Sequence, residues 1–222
     1  GYNYEESRMK KVKVLRNGLI LDDAEDLNMA LGQTINTEGG YSKWRISGGF
    51  FRLNYVFNDR YLLEVNGRLD GSSKFPSDSQ YAFFPSVSAG WRVSQEPFWK
   101  VPEEIFSNLT VRASYGSLGH GNIDPYSFQE LFKIKQSSLV LNGIRPQYTG
   151  QPAVIPLGLT WEKSTTLNLG LDFAFLSNRL QFSGDIYQRK TTDMFTVGMS
   201  LPAVFGTDVP TGNYADLKTK GF

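Results

Sequence analysis

Apolar and polar residues alternate with a period of two along several long stretches of this chain, as a strand with one apolar and one polar surface requires. The clearest is Arg60–Phe98, read as two strands joined by a polar excursion at 71–80. In the first, Tyr61, Leu63, Val65 and Leu69 share a face with Gly67, opposed by Glu64, Asn66, Arg68 and Asp70. In the second, Phe83, Val87, Ala89, Trp91 and Val93 oppose Ser86, Ser88, Gly90 and Arg92. Pro85 cannot donate to a ladder and predicts an edge, a strand start or a bulge there. The same alternation predicts strands over 44–57 (Phe51, Leu53, Tyr55 and Phe57 against Arg52 and Asn54), 109–115, 160–176 and 180–190. On the polar faces of the last three stand Arg112, then Asn168 and Asp172, then Asp185 and Arg189.

The connections carry a second pattern. Asn58-Asp59 and Ser177-Asn178 read as tight turns, so the flanking strands form hairpins. Residues 94–108 read as a connection on the same side, with a helical turn over 103–106. Residues 7–42, 116–159 and 191–219 read as long loops, rich in glycine, proline and asparagine or in mixed charge. Within the first, DDAEDLNMALG can hold a short helix capped by Asp22 or Asp23, with Leu27, Ala30 and Leu31 on one side and Gly32 ending it. Short and long connections alternating in this way predict an all-β antiparallel up-and-down meander, with turns at one end and loops at the other. Gly1–Glu6 reads as the end of a further strand, and the whole chain, 1–222, as one segment of a longer protein without its signal peptide.

Alternation leaves open which solvent each face meets. A β-sandwich buries its apolar face in a shared core, whereas a barrel in lipid turns it outward and keeps the polar face in the lumen. Three features favour lipid. The strands reach the ~9–11 residues that cross a bilayer when tilted. Aromatic residues collect near strand ends (Tyr55, Phe57, Tyr61, Trp91 and Trp161), as interfacial girdles do. The loop asymmetry is that of outer-membrane barrels. On this reading Arg52, Asn54, Glu64, Asn66, Arg68, Asp70, Arg112, Asn168, Asp172, Asp185 and Arg189 line a wet lumen. An arginine at the bilayer midplane costs roughly 2–4 kcal/mol, which selects for confining charge to one face.

Composition adds little but excludes much. A net charge of +1 provides no basic field for nucleic acid. The absence of cysteine removes disulfide scaffolds, thiolate metal sites and cysteine nucleophiles. His120, the one histidine, lies in a glycine-rich stretch, and Gly116-Ser117-Leu118-Gly119 lacks the third glycine of a dinucleotide fingerprint. The acidic run Asp22, Asp23, Glu25 and Asp26 lacks EF-hand spacing. No enzyme and no cofactor is expected.

The run YLLEVNGRLDGSSKFPSDSQYAFFPSVSAGWRVSQEPF resembles the C-terminal barrel of the SusC/RagA group of TonB-linked outer-membrane proteins. LTVRASYGSLGHGNI, LTWEKSTTLNLGLDFAFLSNRLQFSGDIYQRKTTDMF and the closing Lys220-Gly221-Phe222 resemble that group's later segments in the same order. The likeness runs from about Trp44 onward, departing where Ala82 replaces a usual glycine and His120 a usual asparagine. It implies part of the wall of a barrel of about 22 strands around a plug, in the outer membrane of Bacteroidetes-type bacteria. The implied activity is import of glycans or peptides, with a SusD-like lipoprotein as lid. The implied energy source is the TonB–ExbB–ExbD complex, acting through a plug and TonB box that these residues do not include. Six complete strands with stubs at both ends would then leave open edges and an apolar face unsuited to water. The alternative from another class is a soluble β-sandwich binding module of the carbohydrate-binding type.

Overall fold

A computed structural model describes residues 1–19, 26–32, 35–200, 202, 204, 206 and 208–222. Eight strands form one antiparallel sheet: β1 (Tyr2–Arg16), β2 (Ile35–Phe57), β3 (Tyr61–Ser72), β4 (Tyr81–Arg92), β5 (Phe106–His120), β8 (Glu162–Phe175), β9 (Leu180–Val197) and β10 (Thr211–Gly221). Their order in the sheet is their order in the chain. Two short strands, β6 (Ile134–Gln136) and β7 (Gln147–Thr149), pair with each other inside the β5–β8 connection.

No second layer covers this sheet among the described residues. Leu63 and Leu169 are 43% and 47% exposed on its apolar side. The fully buried large side chains, Phe75 and Leu159, instead belong to the loop end. A β-sandwich would bury Leu63 and Leu169 between two sheets, so that architecture is not the one found.

The short turns form where the sequence places them. Asn58 and Asp59 both take positive φ, as a type I′ turn requires, and the Arg60 N–H closes the turn on the Phe57 carbonyl at 3.0 Å. Leu176, Ser177 and Asn178 also have positive φ between Phe175 and its partner Leu180. At 93–105 a 3-10 turn (Val93–Gln95) is followed by a turn in which the N–H groups of Ile105 and Phe106 both donate to the Pro102 carbonyl. β5 starts at once from Phe106, with a register shift before Asn108, three residues ahead of the expected start. The β4–β5 ladder begins at Ser86, immediately after Pro85, whose carbonyl accepts instead from the Ser117 hydroxyl.

Two expected loops are largely strand. Residues 7–42 hold most of a long hairpin, with β1 and β2 paired from Tyr2↔Gly49 to Arg16↔Ile35. Its outer part is lysine-rich, and its apolar alternation, Val12 and Val14 between Lys11 and Lys13, is short and meets Gly39 and Thr37 rather than apolar partners, so the contrast that marks a half-buried strand is weak. Gly39 and Gly40 lie within the ladder opposite Val12 and Lys11 and make no turn. Residues 191–219 contain the end of β9 and nearly all of β10, whose register shifts between Asn213 and Ala215 and again before Leu217. Those bulges put successive side chains out of phase and hide the alternation. The expected helix is a 3-10 turn at Leu27–Met29 preceded by Asp26, without a side-chain cap. Asp22, Asp23 and Glu25 lie outside the described residues.

Candidate functional site

Ladder register decides which side chains share a surface, because directly paired residues point the same way. Asn54, Glu64, Ser88, Ser114 and Asn168 form one row across β2, β3, β4, β5 and β8. Arg52, Asn66, Ser86, Gly116, Thr166 and Arg189 form a parallel row. Asp70, Arg68, Arg112, Asp172 and Asp185 fall on the same side. All the polar-wall residues expected from the sequence therefore share one face of one sheet.

On this face most of the charges are paired with one another. Arg112 on β5 grips Asp172 on β8 through both Nε (2.6 Å) and Nη2 (2.9 Å), and its Nη2 also reaches Asp185 on β9 at 3.2 Å. Ser183 donates to Asp172, and the Asn168 amide donates to Asp185 at 2.8 Å. Arg112 can reach two strands away because Gly170 stands between it and Asp185 in the row. A Cβ at Gly170 would lie 2.5 Å from Asp185 Oδ1 and 2.8 Å from Arg112 Cζ. At Gly48 the space is equally taken: the Oδ1 atoms of Asp70 and Asn3 would lie 2.3 and 2.6 Å from an added Cβ. Arg68 Nε donates to both Asp70 oxygens at 2.7 and 2.6 Å, Arg52 pairs with Glu64, and the Asn66 amide donates to Glu64 at 2.8 Å. Arg189 donates to the Thr166 hydroxyl at 3.3 Å.

The four arginines and four carboxylates named here balance one another, Arg92 adds a fifth arginine in the row of Thr110 and Asp172, and together they make a wall dense in hydrogen-bonding groups. Two recesses open on it. One, of about 590 Å³, is bordered by Asn54, Glu64, Ser88, Thr110, Arg112 and Asn168. The other, of about 760 Å³, lies nearer the loops between Arg52, Arg68, Phe84, Leu118 and Trp161. Such a surface can exchange hydrogen bonds with a polar solute along its length without trapping it by net charge.

The opposite face is apolar. Between Ser47 and Phe57 on β2, Tyr61 and Leu69 on β3, Tyr81 and Trp91 on β4, Leu109 and Ser117 on β5, Thr165 and Phe175 on β8, and Leu180 and Gln188 on β9, no charged side chain stands on this side. Aromatic residues gather at its short-turn edge. The Tyr55 and Phe57 rings stack at 6.4 Å, and Tyr61 pairs directly with Trp91. Phe106, Phe173, Phe175 and Phe182, which are not among the girdle residues expected from the sequence, continue this edge with ring centroids 4.6–6.4 Å apart. Glu96, also not singled out, lies just beyond β4 and is 8% exposed. The Tyr61 hydroxyl (2.6 Å) and the Trp91 indole N–H (3.0 Å) both donate to its Oε1, with Arg60 at 3.3 Å from Oε2. These donors hold the Glu96 carboxyl below the usual glutamate range.

Trp161 lies at the other end of the sheet. Its ring packs 4.7 Å from Phe75 and 5.8 Å from Phe84, and its N–H donates to the Gln80 carbonyl at 3.2 Å. Gly121 faces this cluster so closely that a Cβ would lie 2.9 Å from the indole. The cluster fastens the β3–β4 loop to the segment entering β8.

The family model described as "TonB dependent receptor-like, beta-barrel" matches residues 15–222. TonB-dependent receptor P26 of Formosa agariphila is 37% identical over 184 residues, covering 82% of this chain and 18% of its own length. TonB-dependent receptor SusC of Bacteroides thetaiotaomicron is 38% identical over 154 residues, covering 65% of this chain and 15% of its own. The chain thus spans about a fifth of the length of these relatives. The RagAB peptide importer in its closed-closed state superposes with a TM-score of 0.82 at 24% identity, over 99% of this chain and 24% of that one.

Proposed function

This chain belongs to the TonB-dependent receptor β-barrel family, and from that premise we propose that its sheet is a section of wall in an outer-membrane importer of oligosaccharides or peptides. The apolar face meets acyl chains, and the polar face lines the passage. The observation that carries this reading is the partition of charge. Across six consecutive strands every charged side chain (Asp, Glu, Lys or Arg) in the central band lies on one face, which is the arrangement the depth-dependent cost of charge in lipid selects.

Within the passage Arg52, Arg68, Arg112 and Arg189, their carboxylate and hydroxyl partners, and the amides of Asn66 and Asn168 offer donors and acceptors to the hydroxyls of a glycan or the amides of a peptide. Because they are already paired, each contact with a solute replaces an existing bond and stays weak, as release requires. A SusD-like lipoprotein covers the loop end, and the TonB–ExbB–ExbD complex supplies energy through a plug contributed by the rest of the receptor. The chain's similarity to SusC supports both partners.

The test is uptake by intact cells. Deleting the full-length receptor gene should abolish accumulation of a fluorescent oligosaccharide or peptide pool and growth on the corresponding polymer, and inactivating TonB should do the same. Undiminished uptake of both pools in the deletion strain would overturn the proposal.

A further inference from the structure

Past the uncharged band, on the same apolar side and toward the loop end, cations reappear in two patches. On β1 and β2, Arg8 pairs with Lys43, and Arg45 stands opposite Glu6. Glu6 is shared among all three cations, with Arg45 at 2.6 Å and Lys43 at 3.8 Å. On β8, β9 and β10, Lys190 faces Lys218 directly across the ladder, and Lys163 is one diagonal step from Lys190. The carboxylate beside this second patch is Asp216, 3.7 Å from Lys190. Like charges directly opposed on a sheet are destabilising, so the Lys190–Lys218 pair calls for an external anion.

The two patches lie at one level. Arg45, Lys163 and Lys190 stand roughly ten to twelve residues along their strands from the short-turn ends of β2, β8 and β9, just past the ~9–11 tilted residues that cross the hydrocarbon. Tyr4, Tyr81 and Phe83 are exposed on that side beneath or beside them. Cations immediately above such a belt stand at headgroup height.

We propose that these patches bind phosphate groups of glycolipid headgroups in the outer leaflet, anchoring the barrel on its loop side. The inference rests on the barrel reading above. Six cations set against two nearby carboxylates leave each patch net positive, and lysine and arginine side chains near a membrane surface each contribute measurably to capture of anionic lipid.

The full-length receptor can be reconstituted in phosphatidylcholine nanodiscs doped with lipid A in either its diphosphorylated or its fully dephosphorylated form, and retained glycolipid counted by native mass spectrometry. The native receptor should retain the diphosphorylated form roughly tenfold over the other. Lys190→Gln/Lys218→Gln and Arg8→Gln/Lys43→Gln should each lose most of their patch's share of that preference. Equal retention of both forms by the native receptor, or full preference in both double variants, would overturn the proposal. A receptor that does not enter nanodiscs at all would instead overturn the barrel reading, and the lipid site with it.

Discussion

Tyr61 and Trp91, paired across the β3–β4 ladder, both donate a hydrogen bond to the same oxygen of Glu96. Each ring keeps its apolar body on the sheet's apolar face and turns its polar edge to one carboxylate at the strand end, the division of labour expected at a membrane–water boundary. Glu96 thereby ties the β4–β5 connection to the girdle.

The first prediction concerns pH. Because the Glu96 carboxyl titrates lower in the folded protein than in an unfolded chain, its stabilisation is complete above the ordinary glutamate value, about 4.3, and is lost as pH falls through the lowered one. In the full-length receptor, Glu96→Gln should lower the thermal unfolding temperature at pH 7. The gap from the native protein should close in acid below about pH 4. A gap that persists unchanged at low pH would mean that the charge is not what matters.

A second prediction isolates Gly170. Gly170→Ala places a methyl group between Arg112 and Asp185, both ends of flexible side chains, so the pair should part while the barrel still assembles. Both groups are more than a third exposed, and the loss should be no more than about 1 kcal/mol. Gly184, with nothing within 4 Å of an added Cβ, is the control, and Gly184→Ala should be neutral. Denaturant unfolding of both variants measures the contrast.

The third concerns the loop end. Phe75 is 0% exposed, and removing such a ring from a packed site costs about 3 kcal/mol. The cluster ties these loops to the loop-end tips of β4 and β9 through Phe84 and Phe195, away from the central band, so Phe75→Ala should leave the barrel folded and raise amide hydrogen exchange over residues 72–80 and 156–161. Unaltered exchange there, or equal loss of protection across β3 and β4, would contradict the assignment.

Much of this was legible in the sequence because the central band of each strand obeys a period of two. A wall of the proposed kind, with lipid on one side and water on the other, permits no mixing, so Leu63 and Glu64, or Leu169 and Asn168, declare their faces. Turn chemistry was equally plain at Asn58-Asp59. Legibility fails where that contrast ends. In the outer β1–β2 hairpin the alternation of Lys11, Val12, Lys13 and Val14 is too short, and set against Gly39 and Gly40, to declare a strand. Near Asn213 and Leu217, bulges break the phase. Gly170 acts through partners on the two flanking strands and Glu96 through Tyr61 and Trp91 on β3 and β4, and no local spacing marks them. Trp161 read as a girdle residue from its place at a strand end; the fold turns it toward Phe75 and Phe84, which only the packing of two distant loops could specify.

A fourth prediction sets the two faces against each other. Thr166→Asp places a carboxylate beside Arg189 on the polar side and should be tolerated. Leu169→Asp places one on the apolar side within the band and should reduce the yield of heat-modifiable, assembled receptor in outer-membrane fractions. Equal yields would count against the assignment of faces.

The most direct measurement is solvent access residue by residue. These 222 residues contain no cysteine, so, with any cysteine elsewhere in the full-length receptor replaced, single cysteines at Leu63, Glu64, Asn168 and Leu169 in bilayers can carry spin labels read against oxygen and a water-soluble nickel chelate. Labels at Leu63 and Leu169 should relax with oxygen and ignore the chelate, while those at Glu64 and Asn168 should do the reverse. Labels at Leu63 and Leu169 that answer to the chelate, or four labels that respond alike, would contradict a wall with lipid on one side and water on the other.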